Sequence, residues 1–200
     1  MPALFNFTLM DILLILLVIA VPVLILVYGV YVSIIKKKNV VEESLSGIDV
    51  QLKKRHDLIP NILEIAKKFM SHEKSLLTEI TELRTEAVKL ADAKGGKNLE
   101  KRMQTEAHLD NKLSQLMVNV ENYPNLKSDQ TMLHAQQTYN EVEEHIAASR
   151  RFYNAAVRSL NDTIKIWPMS MIASMVKVEA FPYFEATAEE KGPINAADIL

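Results

Sequence analysis

The feature that most constrains this chain is an uncharged stretch close to its N-terminus. The segment Ile12 to Ile35 contains no Asp, Glu, Lys, Arg or His. This run has about 24 residues, and roughly 20 apolar residues suffice to cross the hydrocarbon core of a bilayer as a helix. The sequence therefore predicts one transmembrane helix over residues 12–35, preceded by a short extracytoplasmic segment at residues 1–11.

The charges on either side of this run predict its orientation. A cleaved signal peptide would need basic residues before a shorter apolar stretch, but residues 1–11 contain no Lys or Arg. Lys36, Lys37 and Lys38 follow the run instead, and basic flanks stay on the cytoplasmic side. We therefore expect a single-pass protein of the plasma membrane, with its N-terminus outside and its C-terminal domain in the cytoplasm.

Beyond the lysines, apolar residues recur at alternating steps of four and three, as in a helix that packs along one side. We name this series the seam. Two of its members, Arg55 and Glu73, are charged. The seam comprises Val41, Leu45, Ile48, Leu52, Arg55, Ile59, Ile62, Ala66, Phe69, Glu73, Leu76, Ile80, Leu83, Ala87 and Leu90.

The seam predicts one long helix over about Val40–Asp92. Pro60 falls inside this helix without changing the register, so we expect a kink there, where the proline lacks a backbone N–H. The carbonyl of His56, one turn earlier, loses its helical donor and needs a side-chain donor or a water instead. Gly95 and Gly96 are expected to end the helix.

The rest of the chain predicts more helix and no strand. With five Gly and seven Pro in 200 residues, the chain has few places to turn, which favours long elements. A second helix is expected at about Leu99–Val120. A third runs from the loop at residues 121–129 to Trp167, with Ser128 or Asp129 as its cap.

The predicted fold is all-α: an N-terminal transmembrane helix followed by a long kinked helix in an antiparallel three- or four-helix bundle. We assign residues 36–184 to this cytoplasmic bundle. Residues 185–200 are polar and are expected to form a flexible C-terminal tail. A short Met-rich stretch, Met169–Val176, precedes the tail.

Helix lengths leave the direction of the chain at residues 121–129 open. At about 1.5 Å per residue, the first helix is far longer than the second. If the loop reverses the chain, the membrane-proximal seam has no intramolecular cover, and another copy or a partner must bury it. If the loop only bends the chain, the later helices cover the first and bring Trp167 and the methionines to the lipid surface. We favour reversal, and hence a homo-oligomer.

Arg55 is the charged seam position that decides most about packing. A buried charge is costly unless it is paired. Arg55 therefore either meets a carboxylate from another helix or chain and fixes register, or snorkels so that its guanidinium reaches water. Lys53 and Lys54 lie off the seam, where a solvated face is expected.

The sequence contains no pattern typical of a catalytic or metal site. The absence of Cys excludes disulfides, thiolate nucleophiles and Cys-containing zinc sites. No His has a Glu three residues earlier, and no H-E-x-x-H motif, glycine-rich phosphate loop or G-x-S-x-G elbow occurs. A formal net charge of −2 gives no basic footprint for nucleic acid. We therefore predict no catalytic residues, no cofactor, no metal ligands and no enzymatic activity.

Three stretches of the chain closely resemble the LemA family of bacterial proteins. They are NVVEESLSGIDVQLKKRHDLIPNILEIAKKFMSHEKSLL (Asn39–Leu77), VENYPNLKS (Val120–Ser128) and RRFYNAAVRSLNDTIKIWP (Arg150–Pro168). The resemblance implies a single-pass protein of the bacterial inner membrane, with a cytoplasmic helical bundle and no established catalytic activity. It also implies links with membrane stress, with magnetosome membranes in one branch, and in some genomes with a neighbouring membrane metalloprotease of the HtpX type.

The resemblance also supplies the candidate interaction and register residues. Two positions depart from the family, since Leu45 stands where an aromatic residue is common and Asn125 where an acidic residue is often found. The candidates, which match characteristic positions of the family, are Ile48, Asp49, Leu52, Arg55, Asp57, Pro60, Asn61, Glu73, Tyr123, Pro124, Arg151, Phe152 and Tyr153.

Two functions follow from these expectations. The first is a non-enzymatic, membrane-anchored scaffold or adaptor that acts in envelope stress or membrane organisation. It would self-associate through the membrane-proximal seam and recruit a membrane partner, for which the HtpX-type protease is one candidate. The alternative is a helical bundle at the cytoplasmic membrane surface that senses a ligand or lipid at residues 167–176.

Overall fold

The computed structural model describes residues 9–92 and 98–184, and every regular element within these ranges is a helix. The helices are α1 (Leu9–Phe69), α2 (Lys74–Asp92), α3 (Leu99–Val120), α4 (Pro124–Lys127), α5 (Gln130–Lys165) and α6 (Met169–Met175). The predicted all-α fold with an apolar N-terminal helix is confirmed. The predicted helix end at Gly95 and Gly96 and the predicted tail at residues 185–200 lie outside the described residues.

Two compact units make up the chain. Of the described residues, the smaller unit contains 9–43 and 155–181, and the larger unit contains 44–92, 98–154 and 182–184. Helices α1 and α5 contribute to both units. Each of these two helices therefore contributes a different part to each unit.

Helix α1 corrects the predicted helix boundaries. It begins at Leu9 and continues through the apolar run and the three lysines to Phe69. A turn at residues 70–73 then separates it from α2, whereas the sequence predicted one helix that continues to Asp92. The turn contains neither Gly nor Pro, and its length keeps the spacing of the seam in register. Periodicity alone therefore does not reveal this break.

In the larger unit, ion pairs show how α2 and α3 run. The Lys101 ammonium lies 2.9 Å from a carboxylate oxygen of Glu86, and the Lys112 ammonium lies 2.5 Å from Glu79. Residue numbers that rise on α3 are matched by numbers that fall on α2. These two helices are therefore antiparallel.

Helix α3 runs parallel to the part of α1 in the larger unit. Arg102 on α3 pairs with Asp49, and Arg55 on α1 pairs further along with Glu106 and Asp110. Because α2 is antiparallel to α3, it is also antiparallel to α1. The turn at 70–73 therefore reverses the chain.

The loop at residues 121–129 reverses the chain again, as predicted. Arg150 on α5 lies 3.9 Å from Asp110 on α3, while Tyr139, earlier on α5, lies beside Ser114, later on α3. Because the chain has already reversed at 70–73, α5 runs antiparallel to α1. The larger unit is thus an antiparallel bundle of four helical segments.

The apolar interior of the larger unit contains the distal seam. Residues from α1, α2, α3, α4 and α5 form one continuous cluster, which burial stabilises by about 25 cal/mol for each Å² of apolar surface removed from water. Its buried members are Ile59, Ile62, Leu63, Ala66, Met70, Leu76, Leu77, Ile80, Ala87, Leu109, Leu113, Leu116, Val120, Leu126, Met132, Ala135 and Tyr139.

The membrane-proximal seam is buried within the chain, which corrects the expectation that it is exposed. Leu45 is partly buried, and the other members are no more than 2% exposed. These are Val41, Ile48, Leu52, Ile59 and Ile62. The argument for a homo-oligomer built on this stripe is therefore wrong, because no apolar stripe is left there for another copy to cover.

The start of α5 is capped as the sequence predicts. The Asp129 carboxylate accepts hydrogen bonds from the backbone N–H groups of Thr131 and Met132, at 2.9 and 3.0 Å. Ser128, the other candidate, instead donates its hydroxyl to the carbonyl of Pro124. Asp129 thus satisfies two of the donors that a helix start leaves without partners.

The smaller unit joins the apolar end of α1 to the C-terminal half of α5. The Lys37 ammonium donates to the Thr163 hydroxyl at 2.6 Å and to the Ser159 carbonyl at 3.2 Å. The apolar side chains from Leu9 to Tyr28 are exposed. Among the described residues, α1 is the one helix long and apolar enough to cross a membrane, which is consistent with anchoring there.

The burial of Leu52 gives a direct test of the seam. The Leu52→Asp variant should lose more than about 4 kcal/mol of unfolding free energy, because an unpaired carboxylate would replace a packed side chain. Urea unfolding of the full chain in mild detergent, followed by far-UV circular dichroism, measures this loss. Val50→Asp, two residues away and 56% exposed, should change stability little. A Leu52→Asp protein that dissociates while remaining equally stable would contradict the structure.

Candidate functional site

The most unusual feature of the larger unit is a fully buried arginine. The side chain of Arg55 is 0% exposed, and its guanidinium contacts three carboxylates. Nη2 donates to Glu106 at 2.6 Å, while Nη1 donates to Asp110 at 3.2 Å and to Glu143 at 3.1 Å. The prediction that Arg55 meets a carboxylate from another helix is confirmed, and the snorkelling alternative is wrong.

The carboxylates come from two different helices. Glu106 and Asp110 are four residues apart on α3, which places them on the same face one turn apart. Glu143 comes from α5. We name Arg55, His56, Glu106, Asp110 and Glu143 the buried charge cluster, and it connects α1, α3 and α5.

His56 adds a second side-chain contact to Glu106. Its Nε2 lies 3.1 Å from one carboxylate oxygen of Glu106 and 3.3 Å from the other. Burial alone would raise the pKa of Glu106, but the His56 hydrogen bond and the Arg55 charge outweigh it and lower that pKa. Glu106 is therefore held as a carboxylate.

The pKa values of Arg55 and Glu143 are both raised, which favours the charged form of the arginine and the neutral form of the acid. Burial would lower the pKa of Arg55, but the charges of Glu143, Glu106 and Asp110 raise it, so the guanidinium remains charged. Burial raises the pKa of Glu143, and the charge of Asp110 raises it further against the opposing effect of Arg55. Glu143 therefore binds a proton more readily than Glu106 does.

The carbonyl that Pro60 leaves without its helical donor has a partner. The guanidinium Nε of Arg84, on α2, donates to the backbone oxygen of His56 at 2.7 Å. The predicted need for a side-chain donor is confirmed. This hydrogen bond also attaches α2 to α1 directly beside the buried charge cluster.

Tyr153 and Asn154 hold the chain that follows α6. The buried Tyr153 donates its hydroxyl to the carbonyl of Pro182 at 3.0 Å, and its ring meets Phe184 edge to face, with centroids 5.2 Å apart. Burial raises the pKa of Tyr153 to about 12. The Asn154 amide donates to the Phe184 carbonyl and accepts from the Phe184 N–H, both at 2.9 Å. Tyr153 is thus a structural residue.

The candidates predicted from the family resemblance separate into three groups by burial. The buried group holds the bundle together and consists of Ile48, Leu52, Arg55 and Tyr153. Asp49, Glu73 and Tyr123 are half-buried, and Asp49 pairs with Arg102. The exposed group consists of Asp57, Pro60, Asn61, Pro124, Arg151 and Phe152.

Sequence analysis missed the partners of these residues. Glu106, Asp110 and Glu143 complete the buried charge cluster, and Asn154 holds Phe184. The signal was present for the α3 pair, because two acids spaced i, i+4 align beside the apolar positions of that helix. Acids on helices are usually solvated, so that spacing gave no reason to assign them to Arg55.

The buried charge cluster has the chemistry of an internal ionic lock. Each of its carboxylates faces a guanidinium, and the described residues contain no group of three His, Cys, Asp or Glu side chains placed to hold a metal ion. Removing one partner leaves the others buried without compensation, which typically costs about 3–5 kcal/mol. The cluster therefore fixes the register of three helices.

Replacing Arg55 should change how the free energy of unfolding depends on pH, which tests the buried charge cluster. Arg55→Met should lower the free energy of unfolding by about 3–5 kcal/mol near pH 7. Arg55 lowers the pKa values of Glu106 and Glu143 in the folded state, so both rise in the variant. The folded variant then binds more protons than the folded wild type, and its deficit should shrink as pH falls.

Urea unfolding of the full chain in mild detergent at several pH values between about 5 and 8 measures this difference. Arg158→Met, at an exposed position on α5, is the matched control and should show no such pH dependence. A deficit that is constant over this range would mean that Arg55 does not hold these carboxylates ionised.

Pro60 and Arg84 should be energetically coupled. Arg84→Met should cost about 1–3 kcal/mol, because it leaves the buried His56 carbonyl without a donor. Pro60→Ala supplies a backbone N–H to that carbonyl, so the double variant should be more stable than the sum of the single changes predicts. A double-mutant cycle measured by urea unfolding gives the coupling energy. Strict additivity would show that Arg84 does not replace the missing donor.

Sequence comparisons show which known proteins this chain is similar to. The chain is similar to magnetosome proteins MamQ 1 and MamQ 2 of Paramagnetospirillum magneticum, each 26% identical over 178 residues. It is 24% identical to magnetosome protein MamQ of Magnetospirillum gryphiswaldense over 178 residues. Each alignment covers 78% of this chain and 64% of the relative, so the chain spans less than two thirds of the length of these relatives.

The family comparison covers most of the chain. Residues 44–196 match the profile described as LemA family. This range includes the whole buried charge cluster, together with Pro60, Arg84 and Tyr153. The chain therefore belongs to the LemA family.

Proposed function

We propose that this protein is a non-enzymatic, membrane-anchored scaffold or adaptor that recruits a membrane partner. The observation that carries the proposal is helix α1, which begins as an exposed apolar segment at Leu9 and ends at Phe69 within a bundle core. One element thus supplies both an anchor and an interior surface of the bundle. The lysines at 36–38 favour a cytoplasmic bundle and an external N-terminus.

The buried charge cluster supports a scaffold over a catalyst. A general acid or base must reach a substrate proton, whereas Arg55 and Glu106 are turned inward and paired with each other. The names of the similar proteins describe a cellular location and no reaction. A bundle with a fixed register is suited to presenting a constant surface.

We place the partner contact at Arg151 and Phe152 on α5. Phe152 is 63% exposed although the adjoining Tyr153 is buried, and Arg151 beside it is exposed. Phe and Arg side chains are enriched at the cores of protein interfaces relative to the rest of the protein surface. A membrane protease of the type implied by the family resemblance is one candidate partner. Self-association through the membrane-proximal seam forms no part of this proposal.

The proposal is tested by the mass of the protein taken directly from membranes. Discs cut from cell membranes by an amphipathic copolymer, analysed by mass photometry, should contain the full chain in a complex heavier than one copy. Phe152→Ala should reduce the fraction in that complex by about tenfold, which corresponds to the loss of about 1.4 kcal/mol of binding energy.

Val118→Ala is the matched control, because Val118 is 65% exposed on α3 and lies outside the proposed contact. It should leave the complex intact, and both variants should unfold at wild-type urea concentrations. A wild-type chain that is present only as single copies would contradict the scaffold function. Equal complex formation by both variants would contradict the assignment of the contact to Phe152.

A further inference from the structure

The smaller unit ends in an apolar surface that protein leaves uncovered. Ile166, Trp167, Met171 and Met175 are each more than half exposed, and Trp167 reaches 74%. We name these four residues the apolar tip. Ile172 and Ala173 of α6 are buried on the other side, so this short helix has an internal face and an apolar external face.

The position of the apolar tip along α1 is fixed by Lys37. The Lys37 ammonium contacts Ser159 and Thr163 of α5, while Val40 and Ala156 line one small cavity with Lys37. Residue numbers that increase along α1 therefore pair with residue numbers that decrease along α5. The two segments are antiparallel.

This register brings the apolar tip to the end of the apolar run. Helix α5 ends at Lys165, two residues or about 3 Å beyond Thr163 at 1.5 Å per residue, and Trp167 follows that end after one further residue. The same distance along α1 from Lys37 leads back to Ile35, the last residue of the uncharged run. The tip is therefore level with the boundary between the apolar run and the lysines that follow it.

The chain on both sides of α6 is held in place. Before it, Lys37 binds the last turns of α5. After it, the Asn161 amide donates to the Phe181 carbonyl at 2.9 Å and accepts from the Phe181 N–H at 3.0 Å. The apolar tip is thus a fixed protrusion and does not depend on a free chain end.

The chemistry around the tip matches a lipid headgroup region. Tryptophan prefers the interface between water and hydrocarbon, because its ring is apolar and its N–H needs a polar partner. The exposed lysines Lys36, Lys165 and Lys177 lie within the same unit, where ammonium groups attract anionic lipid phosphates. The level of the tip along α1 coincides with the end of the apolar run, which favours bilayer lipid as the occupant.

We propose that the apolar tip inserts into the boundary between headgroups and acyl chains of the leaflet from which α1 emerges, as a second contact between this protein and the bilayer. The occupant is bilayer lipid. This inference rests on the proposed membrane anchoring by α1. It adds a surface that contacts lipid independently of the anchor.

The sequence provides its own probe, because Trp167 is the single tryptophan of the chain. The full chain is reconstituted into vesicles of phosphatidylethanolamine and phosphatidylglycerol that carry a bromine or nitroxide quencher either near the headgroup or deep in the acyl chain. Trp167 emission should be blue-shifted. The shallow quencher should reduce it several-fold more than the deep quencher, and aqueous iodide should have little effect.

A paired substitution provides the control. Met171→Asp with Met175→Asp should shift Trp167 emission to the red and remove quenching by lipid, while Val118→Asp, an exposed apolar position on α3, should change neither. Far-UV circular dichroism and urea unfolding check that each variant is folded. If the double variant fails to fold, the depth profile of the wild-type chain decides the question alone.

Three outcomes would overturn the inference, and each points to a different cause. Emission typical of water-exposed tryptophan, in protein that floats with vesicles, would mean that α1 anchors the chain but the tip does not touch lipid. Blue-shifted emission without quenching by either lipid label would mean that protein, including a second copy, covers Trp167. Failure of the full chain to float with vesicles would remove the membrane anchoring itself, and with it the scaffold function.

Discussion

The larger unit depends on how the charge of Arg55 is compensated. Removing a guanidinium from water costs several kcal/mol, and the cost is offset only if the carboxylates of Glu106, Asp110 and Glu143 remain within about 3 Å of it. Those distances are 2.6, 3.2 and 3.1 Å. An apolar core tolerates small sliding of one helix past another, but this arrangement does not. The buried arginine therefore selects one register for α1, α3 and α5.

The same cluster carries an imbalance of charge. Three carboxylates face Arg55 directly, and Arg150, at 3.9 Å from Asp110, is the next cation. The three carboxylates outnumber the two guanidinium groups. The imbalance falls on Glu143, whose pKa is raised by burial and by Asp110, while Glu106 stays ionised between Arg55 and His56. One acid of the cluster can thus take up a proton without disrupting the central Arg55 to Glu106 pair.

The sequence was sufficient for the features set by local chemistry. A charge-free run predicted the apolar helix, Asp129 was a foreseeable cap, and Pro60 required a donor for the His56 carbonyl. The sequence was insufficient where contacts between distant parts of the chain determine the structure. The turn at 70–73 preserves the seam spacing, so periodicity could not separate α1 from α2. The missing reversal then made the membrane-proximal seam look uncovered, although Ile48 and Leu52 are buried.

The lock also determines which side chains the bundle can offer to a partner. Successive residues on an α-helix point about 100° apart. Glu143 lies on the face of α5 that contacts Arg55. Tyr153 lies on the inner side of the same helix, where its hydroxyl donates to the Pro182 carbonyl. With those two residues turned in, Phe152 has to point outward, and it is 63% exposed. The exposure of this aromatic ring is therefore a consequence of the buried contacts. The ring stays exposed as long as the buried charge cluster keeps α5 in this orientation.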